Sequence, residues 1–342
     1  MSKRTAAQKI SQFVRLGVLG GGVCGGLLLQ RHDDRASRAL GSLVHSVMGA
    51  EAVHQAAVLA LSRGCYFRSR LENNPELRMK LWGREFLNPV GIAACFDKHG
   101  EAVQGLSDLG FGFVEVGPVT PQPQEDKLRQ NFNSEGHAAV RQRLEQLRAG
   151  GFSGVLGVSL GKNETSDTEE ADYCEGVRQF AQLADYLIIN ISSPVKSKND
   201  LKGLTQAVLK ARQDLQLSHP PALVIKIAFN LSEADMEDIV EVIMAPGSQV
   251  DGLIMSSTSL AIGAMHRSTG GQVPIIGAGG VTSGEEVVQR MRAGASLVQV
   301  EVDTGIMARG PACATNIRRE LSELVTREGV ESITEWVGAE NR

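Results

Sequence analysis

Eight short runs of β-branched and apolar residues constrain the fold of this 342-residue chain more than any other feature. They are NPVGIAAC (88–95), GFVEVG (112–117), GVLGVSL (154–160), YLIINIS (186–192), ALVIKIA (222–228), VDGLIMS (250–256), VPIIGAG (273–279) and SLVQVEV (296–302). Helical patterns lie between them, among them RQRLEQLRAG, EGVRQFAQLAD, LTQAVLKARQDL, EADMEDIVEVIM and EEVVQRMRAG. Continuous apolar strands belong to parallel sheets whose faces are covered by helices. Eight alternating strand–helix units predict an α/β chain closed into a (β/α)8 TIM barrel. In such a barrel the chemistry sits at the carboxyl ends of the strands.

A hydrophobic share of 42% suits a soluble core, and the length allows one large domain plus something small. A net charge of −4 gives no footprint for nucleic acid. The five cysteines, Cys24, Cys65, Cys95, Cys174 and Cys313, have no metal spacing and read as free thiols in a reducing compartment. No nucleic-acid partner and no metal are expected.

The amino terminus is different. Residues 1–32 carry Lys3, Arg4, Lys9, Arg15 and Arg31 and no acid, around a glycine-rich apolar run at 16–29. A basic, acid-free leader predicts a mitochondrial address. The run is short of the ~20 residues that cross a bilayer, but it extends back to Ile10 if Arg15 snorkels to the headgroups. Residues 1–32 are therefore expected to target the chain and anchor it by a single span. A secretory signal peptide is the rival, disfavoured by the free cysteines. Residues 33–75 carry two helical sets: Leu40, Leu43, Val44 and Val47, then Val53, Ala56, Ala57, Leu59 and Leu61, broken at Gly49. This pair lies on the membrane or caps the barrel, which occupies 76–342.

The strand ends are polar. The first runs into Asp97, Lys98 and His99; the third presents Ser159 and Asn163; the fourth ends in Asn190, Ser192, Ser193 and Pro194. Lys226 lies inside the apolar strand VIKIA, and a buried lysine needs an anionic or electron-rich partner. The turn 277–280, GAGG, followed by TSGEE opening a helix, suits a phosphate cradle of backbone N–H groups. Together these predict a phosphorylated cofactor across the barrel mouth.

The ordered set NPVGIAACFDKHGEAVQGLSDLGFGFVEVGPVTPQPQ, LGKNETS, YLIINISSP, DGLIMSST, STGG, VPIIGAGGVTSGEE and MRAGASLVQ resembles the membrane-bound, quinone-dependent (class 2) dihydroorotate dehydrogenases, over nearly the whole chain. The resemblance implies FMN on the barrel mouth, oxidation of dihydroorotate to orotate in pyrimidine biosynthesis, and ubiquinone entering between the two amino-terminal helices at the mitochondrial inner membrane. It implies that Ser193 is the base removing the C5 proton. Lys98, Asn190, Ser192 and Thr258 would hold the substrate. Ala94, Cys95, Lys98, Ser159, Asn190, Lys226, Ser256, Gly271, Gly279, Gly280, Glu301 and Val302 would hold FMN, with Lys226 beside the pyrimidine edge and Gly280 at the phosphate.

The chain departs from that family at working positions. Cys95 replaces a glycine, Pro118 a serine, and Ser159, Val195 and Ser257 asparagines. Glu301–Val302 replaces a tyrosine–threonine pair, and a carboxylate there would repel a phosphate. A loop after Asp126 is missing. Only the fifteen residues 258–272 link strands six and seven, with no convincing helical face, so the wall is expected to be bare there. Two alternatives therefore stand beside the enzyme: an impaired homologue acting as a membrane-attached binding or structural protein, and a barrel enzyme with an altered substrate. Deleting residues 1–30 should release the protein from membranes without unfolding the barrel; a truncated protein that still pellets with membranes at high salt contradicts the anchor.

Overall fold

A computed structural model of the chain describes residues 50–66, 68–125, 133–191, 197–227, 231–301, 310 and 312–342. The expected anchor, the first helical set and Ser192, Ser193 and Val302 lie outside these residues. Among the described residues no helix is long and apolar enough to cross a membrane.

Eight parallel strands close into a barrel: β3 (Val90–Asp97), β4 (Phe113–Val119), β5 (Val155–Leu160), β6 (Tyr186–Asn190), β7 (Ala222–Ile227), β8 (Gly252–Ser256), β9 (Ile275–Ala278) and β10 (Ala295–Val300), with β10 pairing β3. They are the eight apolar runs of the sequence. Helices cover the outside: α2 (Val103–Asp108), α3 (Gly136–Ala149), α4 (Glu169–Phe180), α5 (Lys198–Asp214), α6 (Glu233–Met244), α7 (Ser259–Ser268), α8 (Gly284–Ala293) and α9 (Cys313–Glu328). Four of them, α5 to α8, start where a side chain, that of Ser197, Ser232, Thr258 or Ser283, accepts from an orphan amide. Ser232 with Asp235, and Ser283 with Glu286, form reciprocal capping boxes. The second helical set of the amino-terminal segment forms α1 (Ala50–Ser62), which buries Leu61 in the main core.

The link between β8 and β9 is not bare. Helix α7 fills it, capped by Thr258, with Ile262 and Met265 buried one turn apart. Gly263 is buried too, facing the Ala293 carbonyl at the end of α8. Ten residues suffice because the helix ends at once in Gly270 and Gly271, both at positive φ. One mark of the short link remains: Leu260, in the first turn, is 80% exposed.

The sequence reading did not find the hairpin β1 (Met79–Leu81) and β2 (Arg84–Phe86). Its turn places Trp82 and Gly83 at φ 53° and 71°, the two positive values of a type I′ turn. This hairpin plugs the amino-terminal end of the barrel. Met79 and Phe86 join Phe113, Tyr186, Ile188 and Val224 in the interior cluster. The Trp82 ring lies 5.3 Å from that of Tyr186, and its Nε1–H donates to the Asp251 carbonyl at 2.8 Å. The plug needs room: a Cβ on Gly157 would sit 2.4 Å from the Tyr186 ring. Trp82→Ala should lower stability by about 2–4 kcal/mol through a cavity beneath Tyr186. A urea midpoint that does not move would show that the hairpin carries no part of the core.

Candidate active site

Alternation along parallel strands decides which side chains enter the barrel. Inward positions at the amino-terminal half are apolar; toward the carboxyl ends they become Glu115, Ser159, Asn190, Lys226, Ser256 and Gln299. Asn190 pairs with Lys226 in register, and Lys226 with Ile254, so the amide and the ammonium stand side by side on neighbouring strands. The Asn190 Oδ1 is buried and has no hydrogen-bond partner among the described residues, while the Asn190 carbonyl accepts from the Tyr173 hydroxyl at 2.7 Å. A buried, unpaired acceptor at a strand end is costly unless a ligand meets it.

Lys226 is half-buried and has an acid below it. Glu115 is 1% exposed, close enough to feel the Lys226 charge, and accepts from the Tyr186 hydroxyl at 2.9 Å. Burial pushes the Glu115 carboxyl above the usual carboxylate range; Lys226 and the Tyr186 hydroxyl pull the other way. Burial likewise raises the Tyr186 phenol. Gln299 lies alongside both groups, yet among the described residues neither polar atom of its amide is in hydrogen-bond geometry. Glu115 and Gln299 were not singled out from the sequence. The signal was the one that flagged Lys226: a polar residue in mid-strand, in VEVG and LVQV.

The loop after β3 is held by Asp97. Its buried carboxylate accepts from the amides of Glu101 at 2.9 Å and Ala102 at 2.7 Å. Burial raises its pKa, and those two amides oppose the rise. The loop presents Lys98 and His99, both half-buried. Ala94 is buried just before it, and Cys95 is exposed. Beside this loop a cavity of about 300 Å³ opens beneath α1, lined in part by His54, Val58, Phe96 and Lys98. His54 anchors it, with Nε2 2.6 Å from the Phe96 carbonyl oxygen.

The far side of the mouth is the turn after β9. Gly279 and Gly280 have φ of 88° and 61°, values that a side chain rarely adopts. Glu301 and Arg290 flank this turn: a Cβ on Gly279 would meet the Glu301 carboxylate at 3.7 Å, and one on Gly280 the Arg290 guanidinium at 3.6 Å. Ser256 makes a long 3.4 Å contact with Glu301. Thr258, exposed at the rim, caps α7. The fold brings Arg290 of α8 near Glu301, although six strand residues and a turn separate them in the chain.

Ala94, Cys95, Lys98, Ser159, Asn190, Lys226, Ser256, Thr258, Gly279, Gly280 and Glu301 thus share the carboxyl-terminal mouth. Gly271 does not. It follows α7 and precedes β9, which places it at the opposite end of the barrel, where its amide donates to the His266 carbonyl at 2.8 Å. The shortened link carries it there, because every residue after α7 is used to reach the start of β9.

Because burial raises Glu115, folding takes up a proton there. That stability is full below the ordinary carboxylate pKa and is lost as pH rises through the folded-state value. Glu115→Gln removes the linkage. Its urea midpoint relative to the parent should rise as pH climbs above the ordinary carboxylate range. A difference that does not change with pH contradicts the raised pKa.

Comparison with known proteins bears on this geometry. The family described as dihydroorotate dehydrogenase matches residues 76–264 and 252–325, two stretches that overlap at β8 and α7, where the link is short. The mitochondrial quinone dihydroorotate dehydrogenase of Mus musculus is 37% identical over 388 residues, 95% of this chain and 96% of the relative. The quinone enzyme of Rhodospirillum rubrum is 36% identical, over 85% of this chain and 91% of its own. A crystal structure of the dihydroorotate dehydrogenase of Eimeria tenella in complex with ferulenol superposes with a TM-score of 0.80 at 29% identity, covering 86% of this chain and 96% of the other. With a closed eight-stranded barrel, a polar mouth and relatives of this identity over most of its length, the chain belongs to the quinone-dependent dihydroorotate dehydrogenases, a family of oxidoreductases.

Proposed function

We propose that this protein oxidises dihydroorotate to orotate at the barrel mouth, with FMN as cofactor and ubiquinone as acceptor, in pyrimidine biosynthesis at the mitochondrial inner membrane. One observation carries the reading: the orphaned Asn190 Oδ1 beside Lys226, over a barrel sealed below, with Lys98 across the mouth. This end of the site fits a flavin ring. An amide offers both a donor and an acceptor to a heterocycle edge, and an ammonium in a low-dielectric well favours negative charge that develops next to it. The phosphate end fits less well, because Glu301 stands beside the turn.

When bound, the flavin would supply the acceptor for a hydride. The chain's own groups do the rest. Lys98 complements the substrate carboxylate by charge. Asn190 fixes the orientation of the ring system. Ser193, just beyond β6, takes the C5 proton; a serine hydroxyl is a weak base, so that proton must be relayed onward. The cavity beneath α1 meets the mouth at Lys98 and supports entry of an apolar quinone there. The mitochondrial relatives support the location, and the leader 1–32 supports the anchor. The non-catalytic alternative gains no support from relatives that are all named as enzymes.

The test is dihydroorotate-dependent reduction of a soluble quinone by the full chain. Ser193→Ala should slow it by about 10²–10⁴-fold while bound flavin stays unchanged. Equal rates for variant and parent remove Ser193 from the mechanism, and a parent with no dihydroorotate-dependent reduction removes the function.

A further inference from the structure

The exit of β6 is held on both sides of the backbone that carries Asn190. On the β7 side the Ile191 amide donates to the Lys226 carbonyl at 3.0 Å. A trans peptide points its carbonyl and the next amide in opposite directions, so the Asn190 carbonyl faces the β5 side. There the ladder has ended: Leu160, the last residue of β5, pairs with Ile189. A carbonyl past the end of its ladder needs another donor. Helix α4, which follows β5, supplies it. The Tyr173 hydroxyl donates to the Asn190 carbonyl at 2.7 Å, and Tyr173 is 2% exposed.

The same end of α4 ties the neighbouring loops of the mouth. Asp172 accepts from the Asn163 amide at 2.9 Å, and the Asn163 Oδ1 accepts from the Gln122 amide at 2.9 Å. The loops after β4 and β5 and the exit of β6 are thus fastened to one helix start. The Tyr173 ring packs in the main core. Burial raises its phenol, and Glu169 and Asp172 add to the rise, so the hydroxyl keeps its proton well above neutral pH. The side chain of Asn190 contrasts with its backbone. Its Oδ1 is buried with no partner among the described residues, so the place of that acceptor is set by the strand end on which it stands.

We infer that Tyr173 is a positioning residue of the cofactor site: its hydroxyl, from outside the barrel wall, fixes the end of β6 so that the Asn190 amide meets the flavin ring at the mouth. This rests on the flavin reading given above and adds to it a group that acts only through another. Tyr173→Phe keeps the ring in the core and removes only the donor.

The experiment is the FMN dissociation constant of the full-length protein, read from the flavin fluorescence regained as the holoprotein is diluted at fixed salt. Tyr173→Phe should weaken FMN binding by about tenfold, the scale of one lost buried hydrogen bond. A double-mutant cycle with Asn190→Ala separates positioning from stability. In that background the side chain that Tyr173 aims is gone, so Tyr173→Phe should change FMN affinity by less than about twofold. Where Asn190→Ala retains no FMN, Asn190→Ser closes the cycle. Equal fold losses in the two backgrounds, or no loss in either, overturn the inference and leave the flavin reading intact. A Tyr173→Phe protein without a cooperative urea transition also overturns it, because the hydroxyl then serves the fold. A parent that retains no FMN overturns the flavin reading and this inference with it.

Discussion

The polar mouth of the barrel rests on a carboxyl and an ammonium that share its interior. Glu115 is fully buried one layer beneath Lys226. Either group alone at that depth would carry a large desolvation cost. Together they convert an apolar well into one with a fixed polar floor. Tyr186 completes that floor by donating to Glu115, and it is in turn held by the ring of Trp82 from the hairpin. The position of the lysine at the site thus traces through a phenol and an indole to the opposite end of the barrel.

Much of this was legible in the sequence, because a parallel barrel writes itself as continuous apolar runs. All eight strands fall inside or next to the runs, and Asn190, Lys226 and the 277–280 turn emerge at the mouth as strand ends must. What escaped was set by contacts distant in sequence. Arg290 reads as one more exposed helix charge in EEVVQRMRAG; only the packing of α8 against β9 buries it beneath the turn. The hairpin residues look like a loop because two short strands carry little periodicity. Helix α7 was obscured by the glycines of its link, one of which, Gly263, lies buried inside the helix. Gly271 was assigned by its motif, STGG, and the motif's usual setting is absent from this shortened link.

Local sequence and tertiary packing agree where the core is concerned and part company at the turn after β9. The capping box of α8 stabilises the helix start by consuming amides that could bind an anion. Good local helix chemistry and a strong phosphate site compete for the same N–H groups, and here the helix has them. Asp97 plays the same part on the other side of the mouth, fixing the loop that carries Lys98 by taking two amides itself.

The plugged amino-terminal end has one more consequence. With the Trp82 indole across it, the barrel is a blind well with a single opening. Water that hydrates Lys226 and any ligand that reaches it must use the same rim, so arrival of one is departure of the other. A flat ring system laid over that rim would therefore act as a lid as well as a ligand. The dielectric around the carboxyl and the ammonium would fall as it settled, and their mutual attraction would grow. The polarity of the well is set by its occupant as much as by its walls.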